Sequence, residues 1–209
     1  MSVLIEKQQL TYHYNLQQGS EDWHELHLGK LTGSTASVFL AEGKNKDFGV
    51  GAMTLIYRKA GELITGESDP IYTNAVMERG IELEPIAIRA YEEETYNQVR
   101  KVGFVELNAF VGCSPDGLIG EDGIIEVKCP MHTEFVRYAD QKNTPKDYFA
   151  QMQFNLFVTG RKWCDYIVYH PGFKEPLLIK TVERNEKIID RFKLAAEYFE
   201  KEVRRLWVL

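Results

Sequence analysis

The sequence is sparing with the residues that mark special environments. Its 209 residues include 3 cysteines, 7 prolines and 16 glycines. Cys113, Cys129 and Cys164 are odd in number, far apart and never in a C-x-x-C pair. That pattern excludes a disulfide framework and zinc-ribbon spacing, and reads as reduced thiols in a cytoplasmic protein. Three dispersed cysteines also fall short of the four ligands that an iron–sulfur cluster usually takes. The low glycine and proline content excludes collagen-like and low-complexity chains. No apolar run approaches the roughly 18 to 20 residues that span a bilayer, so no membrane role is expected. The opening MSVLIEKQQLTYHYN has no basic stretch followed by an apolar one, so no secretory signal is expected.

What remains is ordinary globular composition, 44% hydrophobic and 27% charged. The length fits one domain over residues 1–209, with a helical part to about 97 and a sheet-centred core from about 98. The net charge of −6 argues, taken alone, against a nucleic-acid partner. Its distribution is more informative. Residues 1–60 carry 6 basic and 6 acidic side chains, residues 61–130 carry 5 and 14, and residues 131–209 carry 14 and 11. The acidity is thus concentrated in the middle third. Either a solvated acidic helix face, as in Glu92-Glu93-Glu94, or carboxylates gathered for a divalent cation accounts for it.

Periodicity divides the chain into helices, strands, a helix, strands and a helix, which predicts a mixed α/β domain around a central sheet. Residues 20–29 read as a short helix capped by Ser20, with Gly29 behind it. Further helices are expected over about 32–41, 48–64 and 73–97, the last interrupted near Gly80 and Pro85. QVRKVGFVEL, NAFVGCS, PDGLIG and GIIEVKC then read as short strands. PKDYFAQMQFNLFVTG returns to helical spacing, with Tyr148, Met152, Leu156 and Thr159 on one stripe. Two strands follow, WCDYIVYH and EPLLIKTV. A final amphipathic helix over 185–207 carries Ile188, Phe192, Ala195, Ala196 and Phe199 on its apolar face.

One segment carries chemistry. In CSPDGLIGEDGIIEVKCP, strand alternation puts Glu126 and Lys128 on one face and turns Val127 to the other. The turn Gly120-Glu121-Asp122-Gly123 folds the flanking strands into a hairpin, which sets Asp116 across from Glu126. Two carboxylates so close raise each other's pKa unless a cation lies between them. Their hard oxygens suit Mg²⁺ or Mn²⁺, and Lys128 beside such an ion suits water attack on a phosphodiester. A surface hairpin with alternating charges reads the same way. Upstream, Glu84 of Arg79-Gly80-Ile81-Glu82-Leu83-Glu84-Pro85 is a candidate third acid or a helix-surface acid. Downstream, Gln151 is a candidate for holding water or phosphate, or a solvent-facing amide. His13, His132 and His170 have no ligand-like spacing, and Trp23, Trp163 and Trp207 read as core or interface.

Taken in order, these blocks resemble the phage lambda-type exonucleases, the YqaJ-like viral recombinase branch of the PD-(D/E)xK nuclease superfamily. The matching blocks are Gln18-Gly19-Ser20-Glu21-Asp22-Trp23-His24, Leu28-Gly29-Lys30-Leu31-Thr32-Gly33-Ser34, Arg79-Gly80 with Glu84, Cys113-Ser114-Pro115-Asp116-Gly117, Glu126-Val127-Lys128-Cys129-Pro130, and Tyr148 with Ala150-Gln151-Met152-Gln153. The resemblance implies a restriction-endonuclease-like core with a central mixed sheet flanked by helices. It also implies a Mg²⁺-dependent enzyme, with Mn²⁺ possible, that degrades the 5′-ended strand of linear double-stranded DNA. Mononucleotides are released, and the 3′ overhang goes to a phage single-strand annealing protein in the cytoplasm of a bacterial host. A homotrimeric ring threaded by DNA is implied, so that only its lumen need be basic.

Carried over by the resemblance, Asp116, Glu126 and the Val127 carbonyl are metal ligands. Lys128 orients the attacking water, and Glu84 assists. Gln151 and Tyr148 line the site. Ser34 and Ser114 match positions that bind the 5′-terminal phosphate. The family's arginine in that pocket is His27 here, a ring neutral at pH 7 unless perturbed and without a bidentate fork, for which either protonation by the phosphate or substitution by Lys30 would compensate. Tyr148, Lys30, Lys44, Lys46, Arg58 and Lys59 are candidates for DNA contacts, with a solvated face as the alternative for Lys44, Lys46, Arg58 and Lys59. Two rival functions are an endonuclease of the same superfamily, cutting at a sequence or structure, and a catalytically inactive DNA-binding module.

Overall fold

A computed structural model describes residues 9–41, 48–69 and 75–208. Lys44 and Lys46 lie outside the described residues. In chain order the elements are β1 (Thr11–His13), α1 (Glu21–His27), a 3-10 helix (Gly33–Phe39), α2 (Val50–Thr65), α3 (Ala75–Thr95), β2 (Val99–Arg100), β3 (Phe104–Asn108), β4 (Val111–Cys113), β5 (Gly117–Ile119), β6 (Gly123–Lys128), α4 (His132–Gln141), α5 (Lys146–Thr159), β7 (Trp163–Tyr169), β8 (Leu177–Glu183) and α6 (Glu186–Trp207). The main sheet has the order β2-β5-β6-β7-β8 and is mixed, with β6 and β7 parallel and the other pairs antiparallel. Helices flank it, as expected.

The predicted meander is in fact divided between two sheets. β1, β3 and β4 form a separate three-stranded antiparallel sheet. The chain leaves it after Cys113 and enters the main sheet at Gly117, with Ser114-Pro115-Asp116 as the crossing. Pro115 has no N–H to give to a ladder, so the first pairing must stop there. Asp116 resumes it by donating its N–H to the Ile125 carbonyl at 3.2 Å. Helix α3 differs from expectation in the opposite sense. It runs unbroken through Gly80 and Pro85. Proline removes the bond to the Ile81 carbonyl, but Ile81, Glu82, Pro85 and Ile86 are exposed, so the break falls on the solvent side of the helix, where it costs little. The segment predicted as a helix over 32–41 is the shorter 3-10 turn, tightened by a reciprocal cap between Thr32 and Thr35.

Strand β6 is the hinge between the two cores. Ile124 faces the larger one, with Phe154, Phe192 and Phe199 from α5 and α6. Ile125, Val127 and Cys129 face the smaller one, under Ala87, Ile88 and Tyr91 of α3. Helix α5 departs from the single stripe expected of it. Met152, Gln153, Phe154, Asn155, Leu156 and Val158 are all buried, so it is a central helix enclosed on nearly every side. Two arginines fasten the frame. Arg161 donates to the carbonyls of Ile119, Gly120 and Gly123 around the hairpin turn, where Gly120 adopts φ +48°. Arg79 of α3 donates to the carbonyls of Cys129 and Pro130 just beyond β6.

Candidate active site

The hairpin register brings Asp116 and Glu126 together. Gly117 pairs with Ile125, so the next pair outward sets Asp116 against Glu126, with side chains on one face. Strand alternation puts Lys128 on that face too, and its Nζ lies 2.5 Å from Glu126 Oε1. Glu126 is only 1% exposed. Its second oxygen accepts from Asn155 Nδ2 at 3.3 Å, and Asp116 Oδ2 accepts from the Val127 N–H at 2.6 Å. These groups line a cleft of about 200 Å³ with Gln18, Trp23, His27, Ser34, Ser114 and Gln151.

The electrostatics follow from crowding like charges where water is scarce. Burial, then the neighbouring Glu126 and more distantly Glu84, pushes the Asp116 carboxyl up to about 8, against the pull of Lys128. Burial alone would lower Lys128, but Glu126 and Asp116 outweigh it and hold its ammonium above the ordinary lysine value. An acid raised this far in a cleft, beside a second acid, is in the condition that a bound cation relieves. Among the described residues, no group of three or more His, Cys, Asp or Glu side chains is close enough to hold a metal ion. The donor set is a pair of carboxylates, and its hard oxygens suit an ion that keeps most of its waters.

The other predicted residues divide. Gln151, Ser34, Ser114 and His27 reach the same cleft as the carboxylates. Glu84 does not line it. It is paired with Lys101 and acts on Asp116 through its field. The Tyr148 ring lies beneath Lys128, whose Nζ is 5.0 Å from the ring centre. Lys30 cannot replace an arginine at position 27. It is buried, 3.1 Å from Glu106 and donating to the Ala109 carbonyl at 2.8 Å. Lys59 is paired with Glu62 at 2.8 Å, and this pair lines a second cleft together with Arg58, His27 and Ser34.

His27 is neutral by construction. Its Nδ1 must carry the hydrogen, because it faces the Trp23 carbonyl at 2.6 Å, and this leaves Nε2 to accept from Ser114 Oγ at 3.4 Å. Burial, aided by Lys59, His24 and Lys30, lowers its pKa to about 4 against the raising effect of that carbonyl. Trp23 reads from the sequence as core or interface, yet it lines the cleft. Its Nε1 donates to Ser114 Oγ at 3.0 Å, and its ring centre is 3.6 Å from that of His27. Gln18, to which the sequence alone assigns no role in the site, also lines it. Its amide donates to the carbonyls of Val102 and Pro115, the latter next to Asp116. Both belong to the first matching block, the signal that could have marked them.

Known proteins give a consistent picture. The model of the YqaJ-like viral recombinase domain matches residues 22–162. An alkaline exonuclease from Laribacter hongkongensis, LHK-Exo, has a similar structure, with a TM-score of 0.78 and 29% identity, covering 89% of this chain and 93% of that one. The same figures hold for LHK-Exo in complex with dAMP. A phage-related exonuclease from Haemophilus somnus shares the fold at a TM-score of 0.68 and 18% identity, covering 85% and 94% of the two chains. An uncharacterized protein of Acanthamoeba polyphaga mimivirus is 24% identical over 166 residues, 72% of this chain but only 29% of that much longer relative. With its match across more than half of its length, the chain belongs to the YqaJ-like viral recombinase domain family.

Proposed function

We propose that this protein is a Mg²⁺-dependent exonuclease that degrades the 5′-ended strand of linear duplex DNA. The observation that carries the reading is the pairing of Asp116 with Glu126 across one hairpin, with Lys128 on the same face of a cleft. Family membership and the likeness to an alkaline exonuclease, itself crystallised with dAMP, support it. Asp116, Glu126 and the Val127 carbonyl are the groups that would hold Mg²⁺, with Mn²⁺ as a substitute. When bound, the ion would lower the pKa of a water and offset charge on the phosphate.

The chain's own residues do the rest. Lys128 is held as an ammonium, so it orients water and offsets charge on phosphate oxygens rather than taking a proton. Gln151 positions water or phosphate by its amide, and Tyr148 supports Lys128 from below. Glu84 contributes its charge from outside the cleft. Ser34, Ser114 and the neutral His27 offer uncharged contacts to a 5′-terminal phosphate. Such contacts are weaker than a bidentate arginine, so preference for phosphorylated ends is modest. A homotrimeric ring reconciles the acidic chain with DNA, and a single-strand annealing protein would take the overhang.

The test is digestion of end-labelled linear duplex with Mg²⁺ and with EDTA. Mononucleotides released from 5′ ends, only with the metal, support the reading. Cleavage of covalently closed circles would replace it with an endonuclease, and no hydrolysis under any metal would replace it with a binding module.

A further inference from the structure

Helix α5 carries two buried side-chain amides, and they are treated differently. Gln153 is fully satisfied, donating to the Glu183 carbonyl at 2.8 Å and accepting from the Asn185 N–H at 2.8 Å. It joins α5 to the start of α6 and does not touch the cleft. Asn155 is 1% exposed and donates to Glu126 Oε2, but its own oxygen is buried without a partner. A buried, unpaired amide oxygen costs about 1–3 kcal/mol. A leucine of similar size would avoid that cost but would leave the buried Glu126 Oε2 without its donor, so the asparagine is explained by the carboxylate it serves.

The amide is also held from behind. Gly33 opens the 3-10 helix, and a Cβ built on it would come within 2.5 Å of Asn155 Oδ1 and 3.2 Å of Gln151 Cγ. Only a glycine leaves room for the amide in this orientation, oxygen toward Gly33 and nitrogen toward Glu126. Glu126 is thereby fixed at both oxygens, one by Lys128 and one by Asn155. A carboxylate bound at both oxygens cannot swing about its last torsion, which is what a metal ligand of defined direction requires.

We infer that Asn155, braced by Gly33, is a positioning residue that fixes the Glu126 carboxylate in the orientation needed for the ion. The inference rests on the proposed hydrolytic role of the cleft. Asn155 lies one helical turn beyond Gln151, so the two amides reach the cleft from adjacent turns of the same face.

The test compares Asn155→Leu, Gly33→Ala and Gln153→Leu in the full-length chain. Three readouts are taken: the Mg²⁺ concentration for half-maximal digestion, the thermal shift produced by Mn²⁺ without DNA, and the unfolding midpoint in EDTA. Asn155→Leu should raise the half-maximal Mg²⁺ concentration about tenfold or more and shrink the Mn²⁺ shift, while its EDTA midpoint moves little, because the lost unpaired oxygen offsets the donor lost by Glu126. Gly33→Ala should change metal demand in the same direction, giving a second route if the leucine variant does not fold. Gln153→Leu should lower the midpoint and leave metal demand unchanged. Parental metal demand and Mn²⁺ shift in folded Asn155→Leu or Gly33→Ala, while Asp116→Asn is inactive, would overturn the inference alone. Full hydrolysis by Asp116→Asn would overturn the reading of the cleft itself.

Discussion

The lone buried carboxylate of Asp165 and the Asp116–Glu126 pair lie on opposite faces of the main sheet, and they are built on opposite principles. Asp165 of β7 faces the smaller core, where it accepts from the Tyr91 hydroxyl and the Thr181 hydroxyl, each at 2.6 Å. Tyr91 in turn accepts from Asn97 Nδ2 at 3.0 Å. Both Asp165 oxygens are paired with neutral donors, so the network joins α3, β7 and β8 and leaves no carboxylate oxygen unpaired. On the other face of the sheet, Asp116 is set against Glu126, with Asp116 pushed to about 8 and an unpaired amide oxygen behind them. A polar network built for stability is satisfied within the chain. The strain left in the other set is what a cation and a substrate would satisfy.

The largest effect that tests this contrast comes from Asp116→Asn. Hydrolysis of linear duplex should fall by about a thousandfold or more, while duplex binding in EDTA changes little. The same variant should be more stable than the parent without metal. The sign follows from the raised pKa: between the ordinary aspartate value and about 8 the folded chain holds a proton that the unfolded chain has released. Parental stability in EDTA therefore falls as pH rises through that window, and the asparagine removes the fall. Urea titrations between pH 5 and 9 measure it. Asp165→Ala should do the reverse, costing about 1–3 kcal/mol by leaving the buried Tyr91 hydroxyl without its acceptor, with digestion per folded molecule unchanged. If Asp165→Ala lost activity without losing stability, the two networks would not be distinct.

Smaller effects concern His27. Its pKa of about 4 lies below the unfolded value, so stability is fully present above about 6.5 and is lost as pH falls toward 4, by up to about 3 kcal/mol. His27→Gln should flatten that part of the curve. The smallest expected effect is on end chemistry. Replacing a 5′-phosphate by a hydroxyl should slow digestion by less than about tenfold, because the pocket has no charge at position 27. A much larger ratio would point to Arg58, which lines the adjoining cleft.

The sequence made the hairpin legible because its rules are local. The Gly120–Gly123 turn fixed the register, and strand alternation placed Glu126 and Lys128 together and Val127 in the core. The cap of α1 was equally local, with Ser20 Oγ accepting from the Trp23 N–H at 3.3 Å. What escaped depended on distant partners. Helix α4 was passed over, since Phe135 is its only buried residue and leaves little periodic signal. The enclosure of α5 comes from elements on several sides of it, which one stripe of spacing does not reveal, and so Asn155 went unmarked. Glu84 reads as a third acid from its place before the strands, but Lys101, 17 positions on, takes its carboxylate. Lys30 reads as a free cation until Glu106 comes beside it through β3.

The most direct measurement is anomalous diffraction from a crystal of the protein soaked in Mn²⁺. The account predicts a peak at about 2.1–2.2 Å from one oxygen each of Asp116 and Glu126, an ordinary distance for a hard divalent cation. Saturating Mn²⁺ with no peak between those carboxylates, or with their heads turned apart, would contradict it.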